Sequence, residues 1–226
     1  MIYDNICEGR FINRLNRFVA QIAIDDIVEL CHVKNTGRCK ELLVENAKVY
    51  VQRNDDPERK TKYSLIGVVK GDRLINMDSQ APNKVVKEWI EKGNLFSGIQ
   101  VLRSEKTYGN SRFDLYVETE TEKIFIEVKG VTLEEEGVVR FPDAPTLRGI
   151  KHIQELCECM DEGYQAYIIF VIQMKDVSYF EPNNRTHKDF GDALRIAKEK
   201  GVNILAIDSY VGTDSLELAD YVKVVL

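Results

Sequence analysis

The sequence predicts a protein of the α/β class, α+β in overall layout, with a small N-terminal β-barrel over residues 1–80 and a mixed sheet flanked by helices over residues 81–226. Three observations carry that prediction. Up to Met77 the chain offers short apolar or alternating runs broken by turn residues, with no long helical period. Residues 111–129 alternate like the two arms of a β-hairpin. Beyond Lys129 helical periods and apolar strands take turns, the order that builds a sheet through crossovers.

In the first part the strand candidates are residues 18–24, 27–33, 47–51, 63–69 and 73–75, with Asp25 and Asp26 as a tight turn between the first two. An OB-like barrel is one economical way to close five such strands, and barrels of that kind often carry oligonucleotides. Arg10, Arg14, Arg17, Lys34, Arg38 and Lys40 could line a binding face, with Phe11, Phe18 and Tyr50 for base stacking. The alternative is ordinary surface charge and core aromatics.

Residues 78–83 are the boundary. Pro82 or Asn83 opens a helix in which Val85, Val86, Trp89 and Ile90 recur at helical spacing until Gly93 stops it. A strand over 99–106 and the turn Tyr108, Gly109, Asn110 lead into the hairpin. Residues 130–145, with three consecutive glutamates at 134–136, read as a loop too polar to pack. A helix over 146–162 presents Ile150, Ile153, Leu156, Cys157 and Met160 on one face, while Arg148, Lys151 and His152 decorate its first turns. Cations there oppose the helix dipole, a mild cost that contact with phosphate would explain, and solvation is the simpler reading. Residues 165–173 form an apolar strand suited to the middle of a sheet, followed by a helix over 188–200, a strand over 202–207 and a last strand within 216–226.

The chemistry concentrates in the hairpin. Phe113, Leu115 and Val117 alternate with Arg112, Asp114 and Tyr116, and Ile124, Ile126 and Val128 share a face that leaves Glu127 and Lys129 together on the other. If the arms pair, Asp114 lies across from them. Burying a carboxylate is costly unless it is paired or ligates a metal. Two converging carboxylates suit Mg²⁺, or Mn²⁺ in its place, which keeps water and substrate phosphate in its other positions. A lysine two residues on would then serve an attacking water or stabilise charge on phosphate. That is phosphodiester hydrolysis chemistry. A cross-strand ion pair that satisfies itself at a sheet end is the structural alternative.

Composition sets the frame. With 44% hydrophobic and 30% charged residues over 226 positions, this is an ordinary globular chain of one large or two small domains. Its net charge of -6 is uneven: 13 Lys and Arg face 12 Asp and Glu up to residue 80, against 18 facing 25 beyond it. Five cysteines without a Cys-x-x-Cys pair, and three histidines, give no zinc spacing and read as reduced thiols of a cytoplasmic protein. No apolar run is long enough for a membrane span.

The order helix, three strands, helix, strand, helix, strand in the second part resembles the restriction-endonuclease-like nucleases known by the motif PD-(D/E)XK. That resemblance implies Mg²⁺ ligands at Asp114 and Glu127, assistance to water by Lys129, and an upstream glutamate, Glu105, completing the metal set; Phe113 stands where the motif has Pro. Four segments extend the likeness across both halves: His-Val-Lys-Asn-Thr-Gly at 32–37, Ser-Glu-Lys-Thr-Tyr-Gly-Asn-Ser-Arg-Phe-Asp at 104–114, Ile-Glu-Val-Lys-Gly-Val-Thr-Leu at 126–133, and Phe-Pro-Asp-Ala-Pro-Thr-Leu-Arg-Gly-Ile-Lys-His at 141–152. Together they resemble the sugar fermentation stimulation protein family. The resemblance implies an OB-like barrel, a nuclease-like second domain, and DNA binding linked to the regulation of sugar (maltose) utilisation. On this reading Arg14, Arg17, Lys34, Arg38, Arg112, Arg148 and Lys151 are the candidate nucleic-acid contacts, with RNA open as the alternative ligand and no membrane involved.

Overall fold

The computed structural model describes residues 1–226. Strands β1 (Ile6–Arg14), β2 (Val19–Ile24), β3 (Ile27–Val33), β4 (Lys48–Arg53) and β5 (Tyr63–Lys70) close into an OB-like barrel. Antiparallel pairing runs β3-β2-β1-β4-β5, and a short parallel pairing of Cys31–Val33 with Tyr63–Leu65 shuts the ring. Alternation decides which side chains fill it: Ala20, Ile22 and Ile24 of β2 and Val49 and Val51 of β4 are buried. Strand β6 (Arg73–Asn76) extends β5 as a hairpin.

Strand β1 was not among the expected strands. Its sequence, ICEGRFINR, carries too few apolar residues to show a period, and only Gly9 and Phe11 are buried. Gly9 is required by close approach, because a Cβ there would lie 2.7 Å from Ile22 Cγ2 and 2.9 Å from the Ala23 carbonyl. Phe11 is 3% exposed, so it belongs to the barrel core and not to a stacking face.

The second part is a six-stranded mixed sheet in the order β15-β14-β12-β9-β8-β7. Strands β7 (Val101–Tyr108), β8 (Ser111–Glu118) and β9 (Lys123–Val131) run antiparallel, β12 (Gln165–Ile172) and β14 (Asn203–Val211) lie parallel to β9, and β15 (Leu216–Val222) closes the edge antiparallel. Helix α1 (Ala81–Glu91) places Val85, Val86 and Ile90 against Leu115, Ile126 and Val128 on one face. Helices α2 (Leu147–Asp161) and α3 (Asn184–Glu199) bring Ile153, Leu156, Phe190 and Leu194 to the other. Both helices are crossovers between parallel strands, as the sequence order required. Helix α3 begins four residues earlier than its apolar period indicates, because Asn183 caps a first turn that breaks at His187 (φ -155°, ψ 86°).

Residues 130–141 are not a loop, and only the stretch from Pro142 to Thr146 is irregular. The former contain the hairpin β10 (Leu133–Glu135) and β11 (Val138–Phe141), which joins β13 (Tyr179–Pro182) in a small sheet. Glu134 is buried there because cations from the barrel meet it: Lys70 at 2.8 Å and Arg73 at 3.0 Å, while the Gly137 N–H donates at 2.6 Å. The two cations lie more than 60 residues away in the chain, beyond any periodicity. Further ties join the parts. Lys34 pairs with the buried Asp78 at 2.7 Å, and the Gln173 amide donates to the Asn76 side chain (2.8 Å) and the Asp78 carbonyl (3.0 Å). One contiguous apolar cluster runs from the barrel interior to the α2–α3 face of the sheet. No helix is long and apolar enough to cross a membrane.

Glu134 makes this union pH-dependent. Burial works to raise its pKa, but the Lys70 ammonium, the Gly137 N–H and the Arg73 guanidinium outweigh it and hold the carboxyl down at about 2, against 4.5 ordinarily. A depressed acid stabilises the fold fully above its unfolded pKa and loses that contribution as pH falls toward its folded one. Glu134→Gln is therefore expected to cost about 1–3 kcal/mol near neutral pH. Chemical denaturation from pH 7 to pH 2 should show the gap between variant and wild type closing below about pH 4.5; a gap constant across that range would overturn the assignment.

Candidate metal centre and nucleic-acid interface

The β8–β9 ladder pairs Glu118 with Lys123 through Leu115 with Ile126 and ends there, whereas β7 stays paired with β8 to Ser111 and β12 stays paired with β9 to Val131. The two strands thus fork at Asp114 and Glu127. In the fork the Asp114 carboxylate takes the place of a backbone acceptor: its Oδ2 accepts the Val128 N–H at 2.8 Å, and its Oδ1 accepts from the Asn83 amide of α1 at 2.7 Å.

Glu127 stands beside it and is 2% exposed. Its Oε1 accepts from the Lys129 ammonium and from His152 Nδ1, the latter at 2.6 Å. Its Oε2 is buried and has no hydrogen-bond partner. Asp114 is pushed up to about 6 by burial first and the Glu127 charge second, with the Val128 N–H, Lys129 and Asn83 pulling the other way. For Glu127 burial again works upward, but the His152 hydrogen bond and the Lys129 ammonium outweigh it and hold the carboxyl below its ordinary value.

The fork therefore brings together Asp114, Glu127 and Lys129. Glu105 stays outside. Its backbone is left-handed (φ 59°), it drops out of the β7–β8 ladder, and its exposed carboxylate meets Arg112 at 3.5 Å. No three His, Cys, Asp or Glu side chains form a ready-made cage. The arrangement fits a hard cation of the Mg²⁺ type, which takes one or two carboxylates, and the unpaired Oε2 is the observation in favour.

Two residues of the site escaped the sequence reading. Asn83 was seen only as a helix opener. His152 is neither solvated nor free for phosphate, the two roles its place in the first turns of the helix suggests: it is 5% exposed, packs edge-on against Phe113, and its Nε2 accepts from Arg148 Nε at 3.3 Å. A helical wheel gave the only available hint, since His152 lies next to the buried Ile153 and four residues before Leu156.

The candidate phosphate contacts divide. Arg14 donates to the carbonyls of Gly37, Arg38, Arg17 and Asn35 at 2.7–3.0 Å, which holds two loops of the barrel together and leaves its guanidinium no free fork. Lys34 is held by Asp78. Arg17, beside the half-exposed Phe18, and Arg38, whose N–H donates to Asp143 at 2.8 Å, are exposed. Gly37 leaves room for this contact, because a Cβ there would displace the Asp143 carboxylate. Arg112 is exposed beside Glu105, Arg148 is exposed above His152, and Lys151 reaches the Asn110 carbonyl at 3.2 Å. Asn35–Gly37 share a small cleft with Gly130, Thr132 and Arg140, starting one residue past Lys129. The larger surface clefts, around Lys175, lie away from the carboxylates.

An OB-like barrel leading a mixed sheet whose forked hairpin carries two carboxylates and a lysine defines a class of two-part α/β proteins. The chain belongs to the sugar fermentation stimulation protein family: the model described as "Sugar fermentation stimulation protein RE domain" matches residues 80–215, and the "SfsA N-terminal OB domain" matches residues 12–77. A sugar fermentation stimulation protein homolog of Clostridium beijerinckii is 64% identical over the full length of both chains, and one of Ruminiclostridium cellulolyticum is 62% identical over 99% of each. A solved structure described as that of Pyrococcus furiosus SfsA in complex with Ca²⁺ is similar at a TM-score of 0.91 with 28% identity, covering 100% of this chain and 98% of that one.

The raised pKa of Asp114 gives a test in EDTA. An acid raised in the folded state makes the protein more stable as pH falls from its folded toward its unfolded pKa, here from about 6 toward 3.8. Urea denaturation of wild type and Asp114→Asn should move in favour of wild type over that window, while a difference flat with pH would mean that Asp114 titrates normally.

Proposed function

We propose that this is a cytoplasmic DNA-binding protein with a Mg²⁺- or Mn²⁺-dependent phosphodiesterase site, in which Asp114 and Glu127 hold the cation and Lys129 serves the hydrolytic water. The observation that carries the reading is the buried, unpartnered Oε2 of Glu127, on a carboxylate close enough to Asp114 for its charge to help raise the Asp114 pKa. A protein that only bound phosphate would gain nothing from two carboxylates that repel it. The Ca²⁺ in the description of the Pyrococcus furiosus relative supports a hard cation in this fold.

When bound, the ion polarises a phosphoryl oxygen and lowers the pKa of water. The protein's own groups do the rest. The Asn83 amide and the Val128 N–H fix both oxygens of Asp114. Lys129, anchored on Glu127, offers its remaining N–H donors to water or to charge developing on the phosphate. Arg17, Arg38 and Lys151 steady the backbone of the nucleic acid, with DNA as the expected ligand and RNA as its competitor in the assay. Arg148 can join them without releasing His152, because only its Nε is engaged.

A non-enzymatic DNA-binding regulator of sugar (maltose) genes is the second reading, favoured by the family's name and by the absence of a three-ligand cage. Incubation of linear, circular and single-stranded DNA with Mg²⁺, Mn²⁺ or EDTA separates the two. Cutting is expected with metal only, and Lys129→Ala should lower it about a hundredfold or more. Affinity that falls steeply with salt while no metal supports cutting would leave the regulator.

A further inference from the structure

His152 and Arg148 form a relay that ends on one oxygen of Glu127. Arg148 Nε is always a donor, so His152 Nε2 must accept from it, and the ring proton must sit on Nδ1, which donates to Glu127 Oε1. The ring cannot turn away, because it is 5% exposed and Phe113 packs edge-on against it. Lys129 binds the same Oε1. Both donors therefore act on one oxygen and none acts on the other, although Oε2 is buried.

Leaving a buried carboxylate oxygen bare costs free energy, and one of two convergent donors could have relieved it. The asymmetry has a use if something else must occupy Oε2. Histidine–carboxylate contacts outside a metal's own ligands commonly fix a ligand's orientation, and removing them lowers affinity.

We propose that His152 is a positioning residue for the cation: by holding Oε1 of Glu127 it presents Oε2 as the ligand oxygen, and Arg148 sets the tautomer that lets it do so. This rests on the cation reading of the site. It makes Arg148 part of the metal centre's support as well as a neighbour of phosphate, and it ties α2 to the chemistry on β9.

Calorimetric titration of the full-length protein with Ca²⁺, which needs no turnover, tests the role. An asparagine amide stands where Nδ1 stands, and a glutamine amide where Nε2 stands. His152→Asn is expected to keep Ca²⁺ affinity within about threefold, and His152→Gln to lose on the order of ten- to a hundredfold. Thermal unfolding of both variants in EDTA accompanies the titrations, since a merely structural role would lower the two melting points and leave the two affinities alike. Equal affinities for the Asn and Gln variants overturn the positioning role. A wild type that binds neither Ca²⁺ nor Mn²⁺ overturns the cation site itself, so the two failures are distinct. Nitrogen-15 NMR of the unsubstituted protein gives an independent reading: an Nδ1–H tautomer at His152 is expected, and an Nε2–H tautomer overturns the relay.

Discussion

The Val128 N–H is a buried donor that β8 no longer serves with its backbone, and the site depends on how that donor is satisfied. Where the ladder stops at Leu115, the Asp114 carboxylate accepts the bond. An unmet buried N–H would cost about 1–3 kcal/mol, and a charged acceptor makes the stronger kind of hydrogen bond. The same bond fixes Asp114 in the interior close to Glu127, so the geometry that completes the sheet also supplies what raises the Asp114 pKa, burial first and the neighbouring charge second. Asn83 holds the other oxygen, which makes the first turn of α1 part of the site.

That turn of α1 follows directly on the segment joining barrel to sheet. Asn76 and Asp78 sit in this segment, buried, and are bonded to Gln173 at the end of β12. Lys34 from the barrel neutralises Asp78, and Glu134 from the sheet side takes Lys70 and Arg73 in return. Buried charges of this kind are tolerated because each has a partner, and removing a partner is what costs stability. Their effect on function is positional. The barrel loop at Asn35–Gly37, gathered by Arg14 and bound at Arg38 N to Asp143, lines one cleft with Gly130, the residue after Lys129.

The basic residues show how charge is distributed between folding and surface. Arg14 and Lys34 are engaged within the protein, whereas Arg17, Arg38, Arg112, Arg148 and Lys151 are exposed. Counting cations along the chain overstates the number free for phosphate. Position in the fold, and not charge, separates the two groups, since a guanidinium meets carbonyls or phosphates with the same donors.

The sequence by itself determined the strand-rich barrel, the hairpin of residues 111–129, the crossover helices and the alternation that sets Glu127 and Lys129 on one face, because period-two and helical patterns are local properties of burial. It also marked Asp114 as their neighbour. Tertiary structure alone decided the rest. Strand β1 is defined by partners on both sides and not by its own apolar content, and β10 and β11 exist because distant cations allow Glu134 to be buried. The left-handed backbone at Glu105 has no periodic signature, and the depth at which His152 meets Glu127 follows from the packing of α2 on the sheet. A periodicity reports which face of an element is buried. It does not report which group waits on the other side.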